Sequence, residues 1–445
     1  MNNVTQNFNF YHGNDPRELV QTFGSPLYVY NERILRERCR DIINLSTYPK
    51  FAVNYAVKTN SNLSLLKIIR EEGLRTDISS EGEAVAALAA GFLPEEMLFI
   101  LNGVGAEELA FASKIGSAES QYDTLSATVS VDSLSQLETL GRVNPGGRIF
   151  LRFNSGIGGG HHEKVVTGGD GTKFGIMPEY IPQVKELLRK YDLKLIGINQ
   201  HVGSYIEGEL YLEGVEAILR LARQFENLEY IDFGGGFMVP YHKQNGEGPI
   251  DLRAIGKRLD AMFFDFAKNY GKELTFMVEP GRYIVAECAV LLGTVHSLKN
   301  CGTKKYAGTD LGFSVFKRPT VYDAHHDIDI YRDPARGEGR GHLHADELSA
   351  SDSKQDIFCG PMEKINIVGN QCETGDFIAR DRELPPLREG DVLGILDAGA
   401  YGYSMACQYN HRARPAEVLI SQDGEVRLIR RRDTYEDMLA NMQGL

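Results

Sequence analysis

The sequence predicts an α/β protein in which a (β/α)8 barrel is combined with a second, mostly antiparallel β domain. Between about residues 31 and 282, strand-like and helical segments alternate regularly. Eight of each, joined by short turns, are typical of a closed parallel barrel. After Arg282, short apolar segments alternate with turns and show little helical periodicity, which indicates antiparallel sheet. A doubly wound sheet is the alternative for the first part, but eight repeats favour closure.

The predicted barrel strands are short apolar runs, with amphipathic segments between them. The runs are VNYAV, RTDIS, MLFIL, ATVSV, RIFLRF, KLIGINQ, LEYIDF and LTFMV. Helical periodicity lies near residues 32–45, 62–72, 81–90, 106–114, 133–142, 177–190, 211–225 and 252–270. We therefore expect a barrel at 31–282 and a β domain formed by residues 1–30 and 283–445. The polar, glycine-rich residues 327–358 are expected to form a surface insertion in the β domain.

Composition narrows the class of function. The chain has 445 residues and a net charge of −13. This acidity and the lack of basic clusters argue against nucleic acid and anionic membranes as partners. No apolar run reaches the length of a membrane span, and the first residues lack the pattern of a signal peptide. The six scattered cysteines include no CxxC pair, so we expect reduced thiols in a cytoplasmic protein.

Lys58 is the most informative residue because of its place in the pattern. It follows the strand-like run VNYAV and precedes the polar TNSN, which is expected to begin a helix. The carboxyl ends of parallel barrel strands carry the catalytic groups of such enzymes. A lysine partly buried there can act as an amine nucleophile that forms a Schiff base. Taken alone, a lysine at a strand end is more often solvated, so the interpretation depends on its neighbours.

Polar residues and glycines lie in, at the end of or just after the other predicted strands and would converge on the same mouth of the barrel. They are Asp77, Glu83, Arg152, Asn154, His201, Ser204, Gly234, Gly235, Gly236, Glu279 and Arg282. The glycine run lets backbone N–H groups approach a phosphate, with Arg282 and Ser204 as further donors. Glu279 could hold a protonated ring nitrogen, and the ring of His201 could stack on an aromatic cofactor. Together with Lys58, this set predicts pyridoxal 5′-phosphate.

Seven segments also resemble a known family. They are YAVKTN, FNSGIGGGHHEKVVTGGDGTKFGI, HVGSYI, DFGGGF, EPGRY, CETGDF and DAGAYGYSM. Over nearly the whole chain they resemble the fold-type III pyridoxal-phosphate decarboxylases, most closely the diaminopimelate decarboxylases. The resemblance implies a carboxy-lyase in which Lys58, His201 and Cys372 are catalytic. The cofactor-binding residues that it implies are Lys58, Asp77, Glu83, His201, Ser204, Gly234, Gly235, Gly236, Glu279, Arg282 and Tyr401.

The same resemblance implies substrate-binding residues, several of them in the β domain. Cys372 and Glu373 would enter the active site of the other subunit of a homodimer, as a proton donor and as the partner of a distal ammonium. Arg318 and Tyr322 lie in a segment that resembles the family's grip on a distal carboxylate, and an arginine fork suits a carboxylate bidentately. The implied substrate-binding set is Arg282, Arg318, Tyr322, Glu373 and Tyr401.

A distal arginine together with a distal glutamate fits a substrate whose tail is itself an amino acid. The expected reaction is the decarboxylation of meso-diaminopimelate to L-lysine and CO2. One alternative is a decarboxylase of another basic or carboxylated amino acid, or of a polyamine or natural-product intermediate. Another is a non-catalytic barrel protein that carries pyridoxal phosphate. We expect no metal, because the pairs His161–His162, His325–His326 and His342–His344 lack companion ligands at suitable spacing.

Overall fold

The computed structural model describes residues 3–115, 128–160, 162–169, 171–204, 208–333 and 361–444. The chain divides into two compact units. The barrel unit contains residues 34–240 and 248–286, and the β unit contains residues 1–33, 241–247 and 287–445. Residues 241–247 therefore belong to the β unit, although the sequence pattern placed them in the barrel.

Eight parallel strands close into a barrel within the described part of the barrel unit. They are Phe51–Ala56, Arg75–Ile78, Met97–Leu101, Thr128–Val131, Arg148–Arg152, Lys194–Asn199, Tyr230–Asp232 and Thr275–Val278. Neighbours in the barrel are neighbours in the chain, and the last strand pairs with the first through Phe276 and Phe51. The predicted (β/α)8 barrel is confirmed, and the doubly wound alternative is wrong.

One helix precedes the first barrel strand and the others follow barrel strands, and four of these helices begin at side chains that accept a hydrogen bond from a first-turn N–H. Their bounds are Glu32–Ile43, Leu63–Glu71, Glu81–Ala89, Ala106–Lys114, Leu134–Val143, Ile181–Lys190, Gly208–Ala222, Leu252–Tyr270 and Arg282–Val285. Asn62, Ser80, Ser133 and Asp251 each accept a hydrogen bond from an N–H of the first turn. These residue types are strong N-caps, which explains why the sequence turns from strand to helix so sharply.

The interior of the barrel unit explains the apolar runs in the sequence. Leu98, Ile100, Phe150, Ile196 and Met277 form one buried cluster contributed by four different strands. Because parallel barrel strands are covered on both faces, they are apolar almost throughout and do not alternate with polar residues. Polar side chains are consequently concentrated near the strand ends.

The β unit contains a nine-stranded sheet within its described residues. The strands are Leu27–Asn31, Ala289–Cys301, Lys304–Thr309, Ile328–Tyr331, Glu363–Val368, Phe377–Leu384, Val392–Ile395, Ala416–Ile420 and Val426–Arg430. Most pairs are antiparallel, as predicted, but Leu27–Asn31 runs parallel to Ala416–Ile420, and Lys304–Thr309 runs parallel to Glu363–Val368. The short helices of this unit are Val4–Asn7, Pro16–Phe23, Arg318–Tyr322 and Tyr435–Leu439.

The start of the predicted surface insertion at 327–358 is wrong. Ile328–Tyr331 is a fully buried strand that pairs antiparallel with Val392–Ile395. Its polar residue Asp329 accepts hydrogen bonds from the backbone N–H groups of Val4 and Thr5, which makes its burial tolerable. Residues 334–358, the rest of that segment, lie outside the described residues.

Candidate active site

Lys58 lies in the single turn Val57–Thr59 that directly follows the first barrel strand. Its Nζ atom is 2.6 Å from Oδ2 of Asp77, a residue of the second strand that is only 1% exposed. The Lys58 side chain itself is 42% exposed. A buried carboxylate therefore holds the amine in a fixed direction at the carboxyl end of the barrel while leaving it accessible to a ligand.

Glu83 lies in the first turn of the helix that follows the second strand. Its Oε2 atom accepts a hydrogen bond of 2.7 Å from the backbone N–H of Ser79. Burial, helped by the negative charge of Asp77, raises the pKa of Glu83 to about 7. Glu83 is thus a carboxyl group that can change its protonation state near neutral pH beside the Lys58–Asp77 pair.

The glycine run after the seventh strand brings backbone close to backbone. Gly234 has a φ of +73°, and a Cβ atom there would lie 2.5 Å from the carbonyl oxygen of Gln200. A Cβ atom on Gly235 would lie 2.2 Å from the carbonyl oxygen of Glu279. Gly236 also has a positive φ, of +109°. Only glycine satisfies these conditions, and the result is a close-packed backbone cradle at the barrel mouth, in which Gly234 and Gly235 are buried and Gly236 is half-buried.

His201 is oriented by this glycine run. The N–H of Gly235 donates a hydrogen bond of 3.0 Å to Nδ1 of His201, so Nδ1 presents a lone pair. Burial lowers the pKa of His201 well below its usual range, and the positive charges of Arg152 and Lys58 lower it further. The imidazole is therefore neutral and is suited to stacking by its flat face.

Glu279 follows the last barrel strand and is 6% exposed. Its Oε1 atom is buried without a hydrogen-bond partner in the described structure. Burial raises the pKa of Glu279 well above its usual range, and the nearby carboxylates Asp232 and Asp77 raise it further. Burial also raises the pKa of Asp232, which is hydrogen-bonded to Glu279. Two buried carboxyl groups in contact favour holding one proton between them.

Cationic groups surround the same region. Nη2 of Arg282 donates a hydrogen bond of 3.1 Å to Oγ of Ser204, so these two predicted residues lie side by side. The Arg152 guanidinium is 4.5 Å from the centre of the Phe174 ring. Burial lowers the pKa of Arg152, while Glu279 and Asp132 act in the opposite direction. The barrel site thus combines hydrogen-bond donors that can bind an anion with the buried carboxyl group of Glu279, whose Oε1 atom has no hydrogen-bond partner.

These barrel residues fit pyridoxal phosphate. The unpartnered Oε1 atom of Glu279 suits a protonated ring nitrogen, and the glycine cradle with Arg282 and Ser204 suits a phosphate. Lys58 offers the amine that an aldehyde requires. The fit depends on the buried Oε1 atom of Glu279 and on the close-packed backbone of the glycine run.

Arg318 and Tyr322, the predicted residues for a distal carboxylate, begin and end one short helix of the β unit. Arg318 is 2% exposed. Its Nη1 atom is 2.6 Å from Nε2 of His326, and its guanidinium is 4.6 Å from the centre of the Tyr241 ring. Arg318 is thus a buried arginine that contacts His326 and Tyr241 within the β unit, and its role towards a distal carboxylate stays a prediction.

Cys372 and Glu373 are both exposed on the β unit. The hydroxyl of Tyr409 donates a hydrogen bond to Oε1 of Glu373. Nδ2 of Asn410 donates to Sγ of Cys372 at 3.1 Å, and the Cys372 N–H donates to Oδ1 of Asn410 at 3.1 Å.

Tyr401 has a φ of +55°, an uncommon conformation for a bulky residue that marks a constrained turn.

Sequence reasoning missed two residues that the structure brings into these sets. Asp232 ends the seventh strand, two residues before Gly234, and its position at a strand end was a signal that could have identified it. His326 was considered only as part of a possible metal pair. Among the described residues, no group of three or more His, Cys, Asp and Glu side chains could hold a metal ion. His161, His342 and His344 lie outside the described residues.

Comparison with known proteins identifies the family. Residues 33–286 match the family described as pyridoxal-dependent decarboxylase, pyridoxal binding domain. The chain belongs to this family. It is 38% identical to the diaminopimelate decarboxylase of Methanothermobacter thermautotrophicus, over 96% of this chain and 94% of the relative. It is 34% identical to the diaminopimelate decarboxylase of Escherichia coli K12, over 95% and 94%.

Solved structures of these decarboxylases share the fold. The diaminopimelate decarboxylase of Helicobacter pylori, whose crystal structure contains L-lysine, superimposes with a TM-score of 0.80. It is 28% identical and covers 95% of this chain and 98% of its own. Within the described residues, no helix combines the length and apolar character needed to cross a bilayer.

Proposed function

We propose that this chain uses pyridoxal phosphate to decarboxylate meso-diaminopimelate to L-lysine and CO2. The observation that carries the proposal is its likeness to diaminopimelate decarboxylases over almost its full length, at 38% and 34% identity. The barrel site supports it, because the accessible amine of Lys58 and the unpartnered buried Oε1 atom of Glu279 lie at the carboxyl ends of barrel strands.

In this proposal each barrel residue has a separate task. Pyridoxal phosphate, when bound, accepts the electron pair that remains on the substrate after CO2 leaves. Lys58 provides the amine that anchors the cofactor, and Asp77 orients that amine. Glu279 would accept a hydrogen bond from the N–H of the cofactor ring nitrogen and so favour its protonated form, and the neutral ring of His201 would be available for stacking. The glycine run and Arg282 bind the phosphate or the substrate beside it.

Cys372 is proposed to deliver the proton to the substrate Cα in the barrel of the partner subunit. Its exposure, and that of Glu373, supports a role towards another chain. The paired hydrogen bonds between Cys372 and Asn410 hold the thiol in a defined place. A homodimer with shared active sites follows from this assignment.

The tail of the substrate decides specificity. Arg318 and Tyr322 are proposed to bind the distal carboxylate, and Glu373 to bind the distal ammonium. A substrate with only a distal ammonium, such as lysine or ornithine, lacks the distal carboxylate that Arg318 is proposed to bind. Steady-state rates on meso-diaminopimelate, lysine, ornithine and arginine test this choice. Absence of turnover of diaminopimelate would refute it, and preference for another amino acid would favour the alternative decarboxylase.

The shared-site arrangement has a test of its own. Lys58→Ala and Cys372→Ala are each expected to be inactive, with defects in different halves of the site. After the two variants are mixed and re-associated, half the dimers are mixed, and each has one intact pocket out of two. About a quarter of the wild-type activity should then return. If subunit exchange is demonstrated and no activity returns, Cys372 serves the barrel of its own chain.

The non-catalytic alternative makes a different prediction. A carrier of pyridoxal phosphate would be yellow when purified and would decarboxylate no amino acid. Arg318 and Cys372 are evidence against it, since a carrier requires neither a residue that binds a substrate tail nor a proton donor.

We also propose that the enzyme works in the cytoplasm, and the free cysteines among the described residues support this.

A further inference from the structure

We infer that His326 is a positioning residue that orients Arg318 and thereby sets the preference for a substrate tail that carries a carboxylate. The inference depends on the proposed function, in which Arg318 binds that carboxylate. It also gives a role to His326, which no step of the proposed reaction uses.

The two side chains are in direct contact inside the β unit. His326 and Arg318 are each 2% exposed. Nε2 of His326 lies 2.6 Å from Nη1 of Arg318. On the other side of the ring, Nδ1 lies 2.7 Å from the carbonyl oxygen of Leu396, which directly follows the strand Val392–Ile395. The imidazole therefore connects the sheet to the guanidinium.

The partners decide the protonation state of this imidazole. A carbonyl oxygen only accepts hydrogen bonds, so Nδ1 of His326 must carry a hydrogen. A guanidinium only donates, so Nε2 must present its lone pair to Arg318. Both contacts are satisfied only by the neutral ring with its hydrogen on Nδ1. His326 thus acts as a fixed acceptor for one N–H group of Arg318.

Aromatic rings prevent this arrangement from rotating. The edges and faces of Tyr241 and Phe316 meet the His326 ring at centroid distances of 4.9 and 4.7 Å and at steep angles. The Arg318 guanidinium lies 4.6 Å from the centre of the Tyr241 ring. These contacts fix the guanidinium plane, and an arginine binds a carboxylate bidentately only when the two planes match.

The neighbouring His325 provides a matched control. Its Nε2 atom is 3.0 Å from Oδ1 of Asp327, and its Nδ1 atom is 3.1 Å from Nη2 of Arg382. Its ring stacks on His242 at 3.8 Å. His325 is thus the same type of residue as His326 and its neighbour in the chain, but it has a different set of partners.

The test uses two small molecules that differ only in the distal carboxylate. L-Lysine keeps the amino-acid end of diaminopimelate, and cadaverine is lysine without its carboxylate. Each is measured as an inhibitor of diaminopimelate turnover in the full-length holoenzyme. The ratio of the two inhibition constants reports recognition of the carboxylate and is insensitive to a uniform loss of active enzyme.

Two variants of His326 separate positioning from packing. His326→Asn can still donate to the Leu396 carbonyl in place of Nδ1, but it is too short to accept from Arg318. His326→Gln reaches towards Arg318 and retains an acceptor there. We expect His326→Asn to lower the preference for lysine over cadaverine roughly ten-fold, the effect of one hydrogen bond to a charged group. His326→Gln should keep at least half of the preference, and His325→Asn should leave it unchanged.

The outcomes distinguish the inference from the proposed function. Suppose that the wild-type enzyme turns over diaminopimelate and prefers lysine to cadaverine. The positioning role is then refuted if His326→Asn melts cooperatively and has the same preference. Loss of the preference in a folded His326→Gln variant also refutes the positioning role. If His326→Asn does not fold, the result for His326→Gln is the one that tests this role. If the wild-type enzyme shows neither turnover nor preference, the proposed function itself fails, and the positioning role fails with it.

Discussion

Replacing Glu279 with glutamine should have opposite effects on the cofactor-free and the cofactor-bound protein. In the cofactor-free protein, burial and the charges of Asp232 and Asp77 raise the pKa of Glu279 above its ordinary 4.5. The folded state then binds more protons than the unfolded state, so its stability falls as the pH rises above about 4.5 towards the raised pKa. Glu279→Gln removes this loss, and the neutral amide can still donate to Asp232.

The size of the effect follows from the linkage between pKa and stability. Each unit by which the pKa of Glu279 is raised costs about 1.4 kcal/mol at pH values above the raised pKa. A change of 1 kcal/mol shifts the melting temperature of a unit of this size by about 2–4 °C. We therefore expect cofactor-free Glu279→Gln to melt at least about 3 °C higher than the wild type at pH 8 and equally at pH 4. Thermal melting followed by circular dichroism at both pH values measures this.

The cofactor-bound protein should show the reverse. Loss of a charge-assisted hydrogen bond to the ring nitrogen should weaken pyridoxal phosphate binding roughly ten- to hundred-fold, as titrated by absorbance. Asp232→Asn is the control, because it also relieves the repulsion but leaves the Glu279 carboxylate in place. An acceptor for the Gly234 N–H remains after that change. The reasoning is refuted if Glu279→Gln gains no stability at pH 8 or binds the cofactor as tightly as the wild type.

Three further changes test other parts of the site. Lys58→Ala should abolish the visible absorbance of lysine-bound pyridoxal phosphate, and a variant with the same spectrum would show that another lysine is the anchor. Gly234→Ala should lower the free energy of unfolding by about 1–3 kcal/mol more than Gly271→Ala. Both residues have a positive φ, but only Gly234 faces the Gln200 carbonyl. Equal melting temperatures of the two variants would contradict this prediction. Glu373→Gln should lower kcat/KM for diaminopimelate more than it weakens cofactor binding, and an unchanged kcat/KM would place Glu373 outside the substrate pocket.

The barrel was predictable from the sequence because its physical cause is local. Strands covered on both faces are mostly apolar, and N-capping residues such as Ser80 and Ser133 mark the helices that follow. The polar residues near strand ends were predictable for a related reason, since a buried parallel strand leaves only its ends for polar groups. Lys58 and Asp77 were both identified in this way, and they are in direct contact.

The features that sequence reasoning missed depend on contacts between distant parts of the chain. Asp329 is polar in sequence, yet it is buried because it accepts hydrogen bonds from Val4 and Thr5, more than 320 residues away. Residues 241–247 read as a polar loop of the barrel, but Lys243 forms ion pairs with Asp397 and Glu287 of the β unit. No local pattern reports such pairings, so the segments that they hold were misassigned.

The contact between Asp232 and Glu279 is also of this kind, and it connects the fold of the barrel to its chemistry. Two strand ends that are distant in sequence bring two carboxyl groups together in a buried place, where like charges oppose each other. A protonated ring nitrogen beside the unpartnered Oε1 atom of Glu279 would supply the missing positive charge. The same carboxylate that makes the cofactor-free barrel less stable above neutral pH is therefore the one that makes the site selective for a cationic heterocycle. Stability and affinity should accordingly change in opposite directions when the charge at Glu279 is removed.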